Sequence, residues 1–104
     1  MAFIYLINEY GTNKYKIGLT KDKSIEFRRK RHQTGNSVEL YTTKYFETEY
    51  PYKLERLLHA KYHKEKVIGE WFELEDSEVL KFTETCLELN NIIKFMKENN
   101  EFYK

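Results

Sequence analysis

Two short runs, Ile4-Tyr5-Leu6-Ile7 and Lys14-Tyr15-Lys16-Ile17-Gly18, enclose the segment Asn8-Glu9-Tyr10-Gly11-Thr12-Asn13. β-Branched and aromatic residues on either side of Asn, Gly and Thr form the pattern of a β-hairpin. Those side chains suit a pleated surface, while Gly and Asn accept turn conformations. The enclosed segment is too long for a two-residue turn. The chain therefore starts with paired strands, and this limits what the rest can build.

At 104 residues the chain is long enough for one domain with a single core and no disulfide or metal staples. Apolar residues make up 40% and aromatics 16%, which favours a folded chain despite 34% charged residues. No apolar run reaches the roughly 18 residues of a membrane span, and the N-terminus lacks the layout of a signal peptide. Cys86 is the only cysteine, so no internal disulfide forms; a reducing, intracellular setting is expected, with Cys86 as a small core residue. Net charge is +1, but it is unevenly spread. Residues 14–32 hold eight Lys or Arg against Asp22 and Glu26, whereas from Glu65 onward ten acids face five lysines. A basic stretch beside the hairpin is the footprint of a polyanion partner; its bland counterpart is a solvated helix face.

After the hairpin, which ends near Leu19-Thr20, Asp22 or Ser24 offers an oxygen to cap a helix. That helix should run through Ile25, Phe27, Arg28 and His32 and stop at Gly35-Asn36. Val38 to Glu47 alternates loosely and predicts a third strand. Pro51 suits the first position of a helix, in which Leu54, Leu57, Leu58 and Tyr62 recur at helical spacing up to Lys64. Val67-Ile68-Gly69 reads as a turn leading into Glu70 to Leu74 as a short strand or extended segment. Apolar residues at 79, 82, 86, 89, 93 and 96, widened by Leu80, Leu87 and Ile92, predict one long amphipathic helix packed on the core. The expected fold is α+β: a small, mainly antiparallel three-stranded sheet, made of the hairpin plus a third strand, flanked by helices and closed by that long C-terminal helix.

Ile4-Tyr5 followed by Lys16-Ile17-Gly18 resembles the paired motif that names the GIY-YIG nucleases, with Phe3 at the first glycine and Lys16 at the second tyrosine. Arg28 and His32, four apart on one helix face, match the family's arginine and its follower. Leu-Glu-x-x-Leu-His at 54–59 and Gly-Glu-Trp-Phe at 69–72 resemble a phage and large-virus subgroup in which Lys-Ile-Gly also replaces Tyr-Ile-Gly. Five signatures thus fall in the family's order over residues 4–74. The resemblance implies that the whole chain, 1–104, is one nuclease domain, a metal-dependent endonuclease hydrolysing DNA phosphodiester bonds, acting in the cytoplasm or nucleus, of a host cell if viral or phage.

It also implies roles. Glu55 would be the single protein ligand of Mg²⁺ or Mn²⁺. Arg28 would bind the phosphate through its forked donors. Tyr5 would orient or deprotonate the attacking water, with His32 accepting or relaying the proton. Lys16 stands where relatives often carry a general-base tyrosine, and an ammonium cannot replace it. Either Tyr15 or His32 takes over, or the site binds phosphate without cutting well; His32 with Tyr5 fits better than Tyr15, which points to the opposite face of the strand from Lys16. Lys14, Tyr15, Lys21, Arg29 and Arg31 are the expected DNA contacts. No membrane or small-molecule cofactor is expected, and the protein should be a monomer or a weak homodimer through its C-terminal helix. Two other readings compete: a non-catalytic DNA-binding or adaptor module, and an assembly protein using that helix. A zinc site of His59 and His63 with Glu55 is the competing metal arrangement. Outside such a site His63 is a surface residue, and Trp71 and Phe72 are core rather than a base-stacking platform.

Overall fold

The structure, a computed structural model, describes residues 2–21 and 39–99. The hairpin consists of β1 (Ala2–Glu9) and β2 (Lys14–Thr20). Its loop is held from within. Asn8 donates its side-chain amide to the carbonyls of Thr12 (3.1 Å) and Lys14 (3.0 Å). The Thr12 hydroxyl donates to the Glu9 carbonyl (2.7 Å) and accepts from the Lys14 amide (3.0 Å). Gly11 supplies the left-handed residue, at φ 78°. The remaining elements are β3 (Leu40–Thr48), α1 (Pro51–Lys61), a 3₁₀ turn (His63–Glu65), β4 (Lys66–Ile68), β5 (Trp71–Glu73), α2 (Asp76–Leu80) and α3 (Phe82–Asn99).

The sheet has five strands in the order β3-β1-β2-β5-β4, all neighbours antiparallel. The expected three-stranded sheet is corrected by the hairpin of β4 and β5, which adds to the free edge of β2 through Lys14↔Glu73, Tyr15↔Phe72 and Lys16↔Trp71. The segment read as a turn at Val67 and Ile68 is a strand. The turn is Gly69-Glu70, where Gly69 takes φ 56°. β5 falls inside the segment 70–74 read as a short strand or extended stretch, whereas three residues at β4 are too few to display a period of two. The third expected strand is present with its boundaries moved to Leu40–Thr48. The predicted first helix lies outside the described residues.

Ile4, Tyr5, Leu6 and Ile7 are all buried, so β1 is covered on both faces, as an unbroken apolar run requires. One face carries the main core. Ile4, Leu6, Tyr15 and Ile17 meet Leu54, Leu58 and Tyr62 from α1 and its end, Phe72 and Leu74 after the second hairpin, and Val79, Phe82, Cys86 and Ile93 from α2 and α3. The other face has a smaller cluster of Tyr5, Ile7 and Leu40, with Trp71 against it. The long C-terminal helix is interrupted at Lys81, which separates α2 from α3. Its inner stripe is as expected at Val79, Phe82, Cys86 and Ile93, which are buried, and at Leu89, which is half-buried, but Met96 at its end is exposed, and Leu80, Leu87 and Ile92 do not widen it and are exposed too.

Candidate functional site

β5 pairs with β2 only as far as Lys16, and the Ile17 amide then donates to the Glu70 carbonyl (3.0 Å). Beyond that point the edge of β2 would be left with unpaired backbone groups. α1 supplies the partners. Leu54 and Leu58 anchor it in the core, and the residues one step further round the helix, Glu55 and His59, consequently lie along that edge. His59 Nε2 donates to the Ile17 carbonyl (2.9 Å), and the Glu55 carboxylate accepts the Leu19 backbone N–H. A carbonyl can only accept, so Nε2 carries a proton in this bond. Phe72 packs edge-on against the imidazole, with ring centroids 5.0 Å apart. Both side chains are thus held by backbone and core rather than left to solvent.

The β4–β5 turn brings a third donor. A Glu70 oxygen, a Glu55 oxygen and a ring nitrogen of His59 lie within 4.8 Å of one another, all three residues half-buried. Burial, and secondly the like charge of Glu70, raise the Glu55 carboxyl above its ordinary value, while His59 and the Leu19 amide act the other way. Glu70 also pairs with Lys16, Nζ to Oε2 3.7 Å. Lys16 is opposite Ile7 and Gly18 opposite Tyr5, so Lys16, Gly18 and Tyr5 share one face. The Tyr5 ring and hydroxyl occupy the space a Cβ on Gly18 would need.

The expected site residues separate on this frame. Glu55, Lys16 and Tyr5 fall in one region, with Tyr5 only 1% exposed. Tyr15 points to the other face and is buried in the main core, where burial and then the charge of Asp76 raise its phenol; its side chain is not offered to a nucleic acid. Lys14 is half-buried and Lys21 exposed, with the Lys21 ammonium over the Tyr52 ring at 5.4 Å. Arg28, Arg29, Arg31 and His32 lie outside the described residues. His63 is exposed, and its Nδ1 bonds the Ala60 carbonyl (3.1 Å). The pairing of His59 with His63 is therefore replaced by that of His59 with Glu70. Phe72 is core, and Trp71 is half-buried against the smaller cluster. Glu70 was given no role from the sequence, although it stands in the Gly-Glu-Trp-Phe stretch at 69–72 and directly after Gly69, in the turn that leads back to β2.

Residues 2–89 match the T5orf172 domain. The chain belongs to this domain family. No curated protein matches the chain, and no solved structure does. The T5orf172 match corrects the resemblance to the GIY-YIG nucleases, because the family that covers the chain is a different one. The letters behind that resemblance have local reasons in this T5orf172 domain: Ile4 and Ile17 are core, and Gly18 makes room for Tyr5. T5orf172 domains are linked to DNA-related and nuclease functions. No helix among the described residues is long and apolar enough to cross a membrane.

Proposed function

We propose that this T5orf172 domain is a metal-dependent endonuclease that hydrolyses DNA phosphodiester bonds. The observation that carries this reading is the half-buried Glu55, ordered by a backbone amide and set within 4.8 Å of an imidazole nitrogen and a second carboxylate. Two acidic groups brought that close repel one another, and a shared cation relieves the repulsion. Glu55 would hold a divalent ion of the Mg²⁺ or Mn²⁺ kind. When bound, such an ion polarises the phosphate and stabilises the departing oxygen.

The chain's own groups perform the rest. Lys16, on the face shared with Tyr5, brings a positive charge to where phosphate charge accumulates. Arg28 grips the phosphate through paired donors. His32 accepts the proton of the attacking water. Tyr5, packed on Gly18, walls the site on that face. The roles of Arg28 and His32 are those that the sequence resemblance implied, kept here for the chemistry of a guanidinium and an imidazole.

A plasmid-nicking assay with Mg²⁺ or Mn²⁺ tests the proposal. Wild type should nick, and Glu55→Ala and Arg28→Ala should each lose activity by about 100-fold or more. Cutting that survives both substitutions removes this site. Binding without any cutting converts the protein into a non-catalytic DNA-binding module.

A further inference from the structure

Glu55, His59 and Glu70 come from two separate elements, and only the closure of the β4–β5 hairpin onto β2 brings them together. Resting on the reading that Glu55 holds a cation, we propose that all three are ligands of one metal centre, and that it selects a first-row transition metal of the Mn²⁺ to Zn²⁺ class over Mg²⁺. Donor atoms bound to one such ion at about 2.0–2.2 Å are separated by roughly 3–4 Å. A spread of up to 4.8 Å closes to that by small side-chain rotations.

Two further observations support a metal centre and not a chance cluster. His59 donates Nε2–H to the Ile17 carbonyl, the bond by which a metal-binding histidine fixes its tautomer and turns its other nitrogen to the ion. The Glu55 carboxylate is likewise oriented by the Leu19 amide. Three protein donors are one short of the closed four-ligand set of a structural centre, the count expected of a reactive one. The nitrogen donor decides the selectivity: Mg²⁺ takes oxygen ligands and keeps its waters, whereas imidazole suits the later divalent ions. Lys16, paired with Glu70 at 3.7 Å, offsets the charge of the two carboxylates at the rim of the centre.

The test is calorimetric titration of the chelator-stripped full chain with Zn²⁺, Mn²⁺ and Mg²⁺, for wild type and for Glu55→Gln, His59→Gln and Glu70→Gln, with melting curves to show that each is folded. Gln at 59 retains a donor for the Ile17 carbonyl. Wild type should bind one Zn²⁺ per chain. His59→Gln should weaken Zn²⁺ by about 10-fold or more while leaving Mg²⁺ unchanged, and Glu70→Gln should weaken both. If Glu55→Gln abolishes binding but His59→Gln and Glu70→Gln leave Zn²⁺ affinity within about twofold, the three-ligand centre is wrong and the nuclease reading stands. If wild type binds no metal, both are wrong. Zinc-edge X-ray absorption of the wild-type complex is independent of variant folding: it should show imidazole scattering, and its absence overturns the inference.

Discussion

At Gly18 an added Cβ would fall on the ring and hydroxyl of Tyr5, and the two residues sit directly opposite one another in paired strands, β1 and β2, that cannot easily move apart. Gly18→Ala should therefore destabilise the fold by about 1–3 kcal/mol, the usual cost of overpacking. Urea denaturation checks this; an unchanged midpoint would mean that the Tyr5 ring swings away freely. Glu55 gives a prediction of opposite sign. Burial and Glu70 raise its carboxyl above 4.5, so the metal-free fold holds this proton more tightly than the unfolded chain does. Its contribution to stability is complete below the ordinary value and is lost as pH rises through the raised one. Glu55→Gln cannot ionise. In chelator-treated protein it should melt above wild type at neutral pH, with the gap closing as the pH drops below 4.5. A variant that melts lower at neutral pH would show that the carboxylate's bond to the Leu19 amide outweighs its burial.

At the level of elements, the C-terminal helix separates two kinds of apolar residue that look alike in the sequence. Ile93 is 4% exposed in the main core, and its neighbour Ile92 is 51% exposed. Ile93→Ala should cost about 2–5 kcal/mol, and Ile92→Ala should stay within about 0.5 kcal/mol. Equal costs would mean that Ile92 is covered in solution, as in a dimer through this helix. Spacing predicted the inner stripe correctly because 79, 82, 86, 89 and 93 follow one helix face. It assigned Leu80, Leu87 and Ile92 to the same side, where no element among the described residues buries them, and periodicity does not reveal that. The second hairpin failed to show for a different reason. Lys66–Ile68 becomes a strand by pairing with Trp71–Glu73, and that strand is held in turn by β2, a partner remote in sequence.

Over the whole molecule, positive charge is concentrated at residues 14–31 and negative charge from Glu65 onward. Phosphate neutralisation should then dominate any affinity for DNA. If six or more contacts form, binding should weaken by about 1,000-fold or more between roughly 50 and 200 mM salt. Fluorescence anisotropy with a short duplex measures the slope, and a flat response would argue against a polyanion partner.

Read along the chain, the residues determine the opening hairpin, the amphipathic helices and the i, i+4 pair of Glu55 and His59, since each depends on neighbours within a few positions. The five-stranded sheet and the meeting of Glu70 with that pair depend on the tertiary structure. β2 has an edge that must be satisfied, and two elements remote from it in sequence, α1 and the β4–β5 turn, reach it from different directions. Backbone groups at that edge fix where the carboxylates and the imidazole end up. A contact made through a third element leaves no trace in the spacing of the residues that make it.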